Sequence, residues 1–264
     1  MRRIVVGMVI FLILCAFALP AFAETYWGGG YPVQKGWEEK LWYDREYDPA
    51  NPPSYLDYYP LGGNVYVVGA VGAVQVVSAY PSIGYMYLGL NTKTNQWFTL
   101  NVSAVGSDPD PPHLTIGSLQ IDSGSLGGHV HIGNVSVSTT GNGVLGDGVE
   151  ITGSYTNQGT FRNLGSAKFT GSGTQNVQSN GSYFQNLSYT GTGTITFTDP
   201  LFVGGNFTKS GTGTINTGGN KITFTGSNAG IITTPTGYTF GDLDFWKYSY
   251  NTSAVTKTLL MLHK

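Results

Sequence analysis

The chain has 264 residues, a formal net charge of −2, 11% charged residues, 13% aromatic residues and 39 glycines. So low and balanced a charge excludes a disordered polyelectrolyte, and with no basic excess it also excludes a nucleic-acid binder. The aromatic content suffices for a buried core, while abundant Gly, Thr, Ser and Asn suit short strands joined by tight turns.

Residues 1–23 read as a secretory signal. Arg2 and Arg3 form a basic start, Ile4 to Leu19 is apolar, and Ala21-Phe22-Ala23 is an A-x-A cleavage site. The apolar run falls short of the roughly 20 residues a membrane span needs, so cleavage before Glu24 is expected rather than anchoring. The only cysteine, Cys15, lies inside this segment, and bulky Leu14 before it argues against lipidation. Residues 24–264 then offer no disulfide and no thiol catalysis, and carry 11 basic and 15 acidic residues, a net −4. No second apolar run is long enough to span a membrane, so the expected location is extracellular or at the cell surface.

Glu24 to Pro60 differs from everything after it. It is rich in Trp and Tyr, dense in charge, and broken by Pro49, Pro52 and Pro53, which predicts an irregular, partly extended segment. Two readings stand side by side. An exposed sheet edge needs covering, which favours an aromatic cap on the open end of a β structure. Alternatively, Trp27, Trp37, Trp42, Tyr43, Tyr47, Tyr58 and Tyr59 form a candidate contact surface for a sugar or a partner subunit, since Tyr and Trp dominate such contacts.

Leu61 to Val105 carries β-branched runs at Val65–Val68 and Val74–Val77. Ile83–Leu90 and Gln96–Val102, separated by the polar Asn91–Asn95, predict a hairpin. Ser107 to Pro112 reads as a rigid extended connector. Asp108 and Asp110 within it are too few for a calcium loop, which gathers more oxygen ligands from nearby positions.

From His113 the text repeats itself. Phe169-Thr-Gly-Ser-Gly-Thr returns as Tyr189-Thr-Gly-Thr-Gly-Thr and again as Lys209-Ser-Gly-Thr-Gly-Thr, each 20 positions on. Such a period suits one coil of a β-solenoid, in which stacked coils bury a continuous interior. It predicts that Phe169, Tyr189 and Lys209 stack on adjacent coils, as do Thr174, Thr194 and Thr214. Alternation places Ile195 and Phe197 inside against Thr194, Thr196 and Thr198, and Ile222 and Phe224 inside against Lys221, Thr223 and Thr225. A β-sandwich is the alternative, but its strands have no reason to repeat actual letters.

A longer repeat is also legible. Phe169-Thr-Gly-Ser leads to Leu187, and Phe224-Thr-Gly-Ser leads to Leu243, so a block of about three coils is expected to restart at Phe224. The chain reaches Lys264 before that block is complete. This fits either a truncated product or an open end that accepts the next subunit and grows a fibre.

These blocks resemble the β-strand repeats of large bacterial and archaeal surface proteins, including adhesins and autotransporter passengers. The likeness covers roughly 165–244 and is carried by Phe169-Thr-Gly-Ser-Gly-Thr-Gln, Asn186-Leu-Ser-Tyr-Thr-Gly-Thr-Gly-Thr-Ile-Thr-Phe and Leu201-Phe-Val-Gly-Gly-Asn-Phe-Thr. The resemblance implies a right-handed parallel β-helix at the cell surface. It carries over no catalytic or binding residue.

The sequence offers no catalytic, cofactor or metal site: no phosphate loop, zinc spacing or nucleophile elbow is present. His129 and His131 would share a strand face as a metal pair, but no third ligand is near in sequence. Asp147 with Glu150, and Asp242 with Asp244, are the only close acidic pairs of the repeat region. The eight charged residues between Leu114 and Gly241 show no cluster by spacing, which argues against an enzyme. Asn-x-Ser/Thr sequons at Asn101, Asn134, Asn180, Asn186, Asn206 and Asn251 are candidate glycan acceptors. Three functions follow: a secreted structural or adhesin-like protein that self-associates or binds other surface proteins, a polysaccharide- or surface-ligand-binding module, and, as a minor third, ice or mineral binding by Thr192, Thr194, Thr196 and Thr198.

Overall fold

The computed structural model describes residues 25–27, 35–36, 42–43, 64–68, 71–76, 82–89, 99–104, 113–159, 163–226, and 230–246 apart from 237, 239 and 242. The expected signal segment 1–23, the loop Asn91–Asn95 and the connector Ser107–Pro112 lie outside the described residues.

The strands run in chain order as follows. The first are β1 (Thr25–Trp27), β2 (Lys35–Gly36), β3 (Trp42–Tyr43), β4 (Asn64–Val68), β5 (Val71–Val76), β6 (Ser82–Gly89) and β7 (Thr99–Ala104). Two long strands follow, β8 (Leu114–Gly128) and β9 (Val130–Leu145). Then come β10 (Val149–Ile151), β11 (Tyr155–Asn157), β12 (Ser166–Phe169), β13 (Thr174–Gln178), β14 (Tyr183–Phe184), β15 (Asn186–Tyr189) and β16 (Thr194–Phe197). The last are β17 (Leu201–Val203), β18 (Phe207–Lys209), β19 (Thr214–Asn216), β20 (Ile222–Thr225), β21 (Ile232–Thr233) and β22 (Leu243–Trp246).

Among the described residues the chain is all β, and its strands stack in parallel as a β-solenoid of about seven turns. Three ladders run along it. The first climbs from β4 through β6, β8, β9, β10, β12, β15 and β18 to β21. The second leaves the middle of β9, at 135–137, through β11, β13 and β16 to β19. The third joins β14, β17, β20 and β22. Only β1 with β3 is antiparallel among the described pairings.

The repeat has the predicted register. Phe169 pairs with Tyr189 and Tyr189 with Lys209, while Thr174 pairs with Thr194 and Thr194 with Thr214. The Thr-Gly-x-Gly-Thr motif sits at the corner between the first and second ladders, and its glycines explain its persistence. A Cβ on Gly191 or Gly211 would overlap the carbonyl oxygen of the glycine one coil earlier, as would one on Gly193 or Gly213. The coils bond directly there, Thr194 N–H to Gly173 O at 3.1 Å and Thr214 N–H to Gly193 O at 2.9 Å. Only a residue without a side chain lets successive corners approach to one strand spacing.

Alternation fills the interior. Ile195, Phe197, Leu201, Phe207, Ile222 and Phe224 are buried, while Thr196 and Thr198 face outward. Thr223 departs from its expected exposure: it occupies the outward row, yet is buried between Phe202 and Asp244 in register. Edge-to-face rings tie coils together, Phe169 on Phe184 at 6.3 Å and Phe207 on Phe224 at 6.0 Å. Each such pair contributes about 0.5–1.5 kcal/mol beyond its burial.

Three further expectations are corrected. The predicted hairpin is replaced by parallel pairing one coil away, β6 with β4 and β8, and β7 with β5 and β8. The coils therefore begin at β4, ahead of the predicted boundary at His113. Alternating apolar runs flanking a polar loop fit a coil corner as well as a hairpin, and stacking continues the interior rows. The block expected to restart at Phe224 does not recur in register. Phe169 and Leu187 lie on the first ladder, whereas Phe224 and Leu243 lie on the third. The shared letters mark a strand running into a glycine corner, and the solenoid has more than one such corner.

The interior also holds polar groups that the pattern did not reveal. Gln175 is fully buried; its amide N–H groups donate to Ile151 O and Gly153 O, and its carbonyl accepts from Gly171 N–H. Asn157 donates to Ser179 O and Ser182 Oγ and accepts from Gly159 N–H. Lys209 points inward; its ammonium donates to Gly211 O at 2.7 Å and lies over the Tyr189 and Tyr238 rings. Each finds hydrogen-bond partners inside, as most buried polar groups do.

Candidate functional surface

In a parallel ladder, residues in register form columns along the solenoid. One column on the first face reads Tyr43, Tyr26, Tyr66, Tyr87, Gln120 and Ser136, strand by strand. The aromatic segment thus adds strands to the first coil: β1 pairs with β4, and β2 with β5. Of the candidate contact residues, Trp27 and Trp42 stand opposite each other in register, and Tyr43 stands opposite Tyr26. Trp37, Tyr47, Tyr58 and Tyr59 lie outside the described residues.

The next coils complete a half-buried tyrosine cluster. The Tyr66 ring lies 5.9 Å from that of Tyr87 and 6.3 Å from that of Tyr85. Tyr87 donates its hydroxyl proton to Asp122 Oδ2 at 2.9 Å, Tyr85 donates to Gln120 Oε1 at 2.9 Å, and Gln120 Nε2 donates to Asp122 Oδ1 at 2.9 Å. Burial, then the neighbouring Tyr66 and Asp122, raise the Tyr85 pKa. Composition and motif scanning missed this cluster. Its signal is Tyr66 lying 21 residues, about one coil, before Tyr87.

A second column runs Thr115, His131, Glu150, Lys168, Ser188, Thr208. Glu150 accepts from the Lys168 ammonium and lies 3.7 Å from His131 Nε2. The His113 ring stacks on His131 at 3.7 Å. The charges that looked scattered are therefore partly gathered, because each lies about one coil from the next. The expected strand-face pair of His129 and His131 is replaced: His129 is exposed at the bend before β9, and His131 stacks on His113 instead. Among the described residues no three of His, Cys, Asp or Glu are placed to hold a metal ion. Of the acidic pairs, Asp147 sits exposed in a turn and Asp244 faces Lys221 at 3.8 Å, while Asp242 lies outside the described residues.

Beside this column runs a shallow groove of about 260 Å³, lined by residues including Ser166, Lys168, Asn186, Ser188, Asn206 and Thr208. Its asparagines bridge coils. Asn186 Nδ2 donates to Ser166 Oγ, and Asn186 Oδ1 accepts from Asn206 N–H at 3.0 Å. Asn206 Oδ1 in turn accepts from Ile231 N–H at 2.9 Å. The groove presents hydroxyls, amides, one paired ammonium and the Asp147 carboxylate, a set suited to binding polar ligands by hydrogen bonds.

Comparison with protein-family models, curated proteins and solved structures finds no match to this chain. The resemblance to surface-protein repeats rests on the residues alone.

Proposed function

We propose that this chain is a secreted structural or adhesin-like protein of a cell surface, a polar-sided solenoid that associates with itself or with other surface proteins. The observation that carries the reading is the outer surface of the repeat. There Ser, Thr and Asn columns run coil after coil, and Asn134, Asn186 and Asn206 each bond the backbone one coil on. Such a surface is hydrated and low in charge, and its side chains reinforce the stack. The secretory pattern of residues 1–23 and the surface-protein-like repeats support the same reading. Immunogold electron microscopy of native cells tests it. Dense label on the envelope exterior is expected, and label confined to the cell interior would refute it.

A second reading, a polysaccharide-binding module, is favoured by the hydroxyl- and amide-lined groove. A glycan-array screen separates the two. Saturable binding that is lost in Asn186→Ala, or in Trp37→Ala with Trp42→Ala, supports the module. Absence of binding across neutral and acidic glycans leaves the structural reading.

A further inference from the structure

The tyrosine cluster of the first coils has a chemistry that neither reading uses. Tyr66 and Tyr87 occupy adjacent strands, β4 and β6, directly in register, with ring centroids 5.9 Å apart and planes tilted by 45°. Neighbouring strands lie about 4.8 Å apart, so the two Cα positions are fixed at the closest separation the backbone allows between coils. Tyr87 also has a proton acceptor in place, since its hydroxyl donates to the Asp122 carboxylate at 2.9 Å. Gln120 holds the other carboxylate oxygen at 2.9 Å, which fixes Asp122 in that orientation.

We propose that Tyr66 and Tyr87 are a site of oxidative phenol coupling, forming a dityrosine cross-link that fastens β4 to β6. The oxidant is a peroxidase-class one-electron oxidant working with hydrogen peroxide. Loss of one electron makes a phenol strongly acidic, and at Tyr87 the proton passes to Asp122 along the existing hydrogen bond. A second one-electron oxidation, with release of the phenolic proton, generates the Tyr66 radical. The two radicals join through a new C–C bond between ring carbons ortho to the oxygens. Each joined carbon gives up its hydrogen as a proton, and each oxygen regains one, which restores both aromatic rings. The pair loses two electrons and two protons in all, and these reduce one hydrogen peroxide to two waters.

The geometry also selects the partners. Tyr85 packs against Tyr66 edge-on at 64°, and its hydroxyl donates to an amide oxygen, a far weaker base than a carboxylate. Residues 24–264 contain no cysteine, so disulfides cannot fasten these coils in an oxidising compartment. A carbon–carbon link supplies the same constraint, and it persists under reducing conditions.

The test uses protein 24–264, kept dilute, treated with horseradish peroxidase and hydrogen peroxide. The expected product is a monomer lighter by two hydrogens, with blue dityrosine fluorescence and chymotryptic mapping that joins Tyr66 to Tyr87. Tyr66→Phe and Tyr87→Phe keep the rings, and circular dichroism confirms that they remain folded. Each should abolish the intramolecular product, while Tyr85→Phe retains it. Asp122→Asn should slow its formation several-fold. A link mapped to another pair, products only between chains, or undiminished yield in Tyr66→Phe or Tyr87→Phe would overturn the proposal. An unchanged rate in Asp122→Asn would remove the carboxylate from the step.

Discussion

Replacing Ile195 by Asp tests the assignment of inside and outside most directly. Ile195 is fully buried in β16, between Gln175 and Ile215 in register. The neighbouring Gln175 already spends its amide on Ile151 O, Gly153 O and Gly171 N–H. An aspartate there would find no charge partner on adjacent coils of its column and would take up a proton instead. Burial of this kind raises a carboxyl pKa by about 3–5 units, and keeping the group protonated from about 3.9 up to pH 7 costs about 4 kcal/mol. Lost apolar packing adds about 2–5 kcal/mol. Against a domain stability of about 5–15 kcal/mol, this unfolds at least the coils around β16. The sign with pH follows from the folded pKa lying above the unfolded value of about 3.9. The folded state then binds more protons, so the deficit relative to the parent protein grows as pH rises above 4 and shrinks as pH falls towards 4. Thermal melts by circular dichroism at pH 4 and pH 7, with hydrogen exchange to locate the opened coils, measure this. Thr196→Asp, one residue along and facing outward, should stay within about 0.5 kcal/mol of the parent. Equal losses for the two variants, or a deficit for Ile195→Asp that does not change with pH, would refute the assigned faces.

Four other substitutions probe separate parts of the fold. Gly193→Ala should cost about 1–3 kcal/mol by forcing a Cβ into the Gly173 carbonyl. Gly173→Ala, where a Cβ meets nothing within 4 Å, should be near neutral in the same denaturant titration. Tyr155 is buried, its hydroxyl has no hydrogen-bond partner, and burial raises its pKa. Tyr155→Phe should therefore leave the melting temperature unchanged or raise it, by up to about 1 kcal/mol in stability, and a clear loss would contradict the unpartnered hydroxyl. Asp199 accepts from the Ser179 and Asn180 N–H groups across a coil, and Asn180 there has a φ of 53°. Asp199→Ala should cost about 1–3 kcal/mol and speed amide exchange at Ser179 and Asn180.

Much of the architecture was legible because its cause is local. Side chains alternate along any strand, so Ile195, Phe197, Ile222 and Phe224 could be placed inside from the text alone. The twenty-residue recurrence set the coil length, and with it the stacking of Phe169, Tyr189 and Lys209. The glycine corners were legible as letters, and the structure adds why they recur: successive corners touch through their backbones.

What only the tertiary structure decided was which strand lies beside which, and on what face. Ile83–Gly89 alternates identically in a hairpin and in a coil, so its pairing with β4 and β8 was not in its own letters. Phe224 carries the same motif as Phe169 yet lies on another ladder, because the motif records a strand meeting a corner and not which corner. Gln175, Asn157 and Lys209 are polar by type, and they are inside because carbonyls at the coil corners accept their protons. The Tyr66–Tyr87–Asp122 and His131–Glu150–Lys168 groupings arise across coils whose lengths vary between corners. Strand pairing brings such residues into contact over separations that sequence proximity does not register, and the interior that holds the coils in register forms only when they stack.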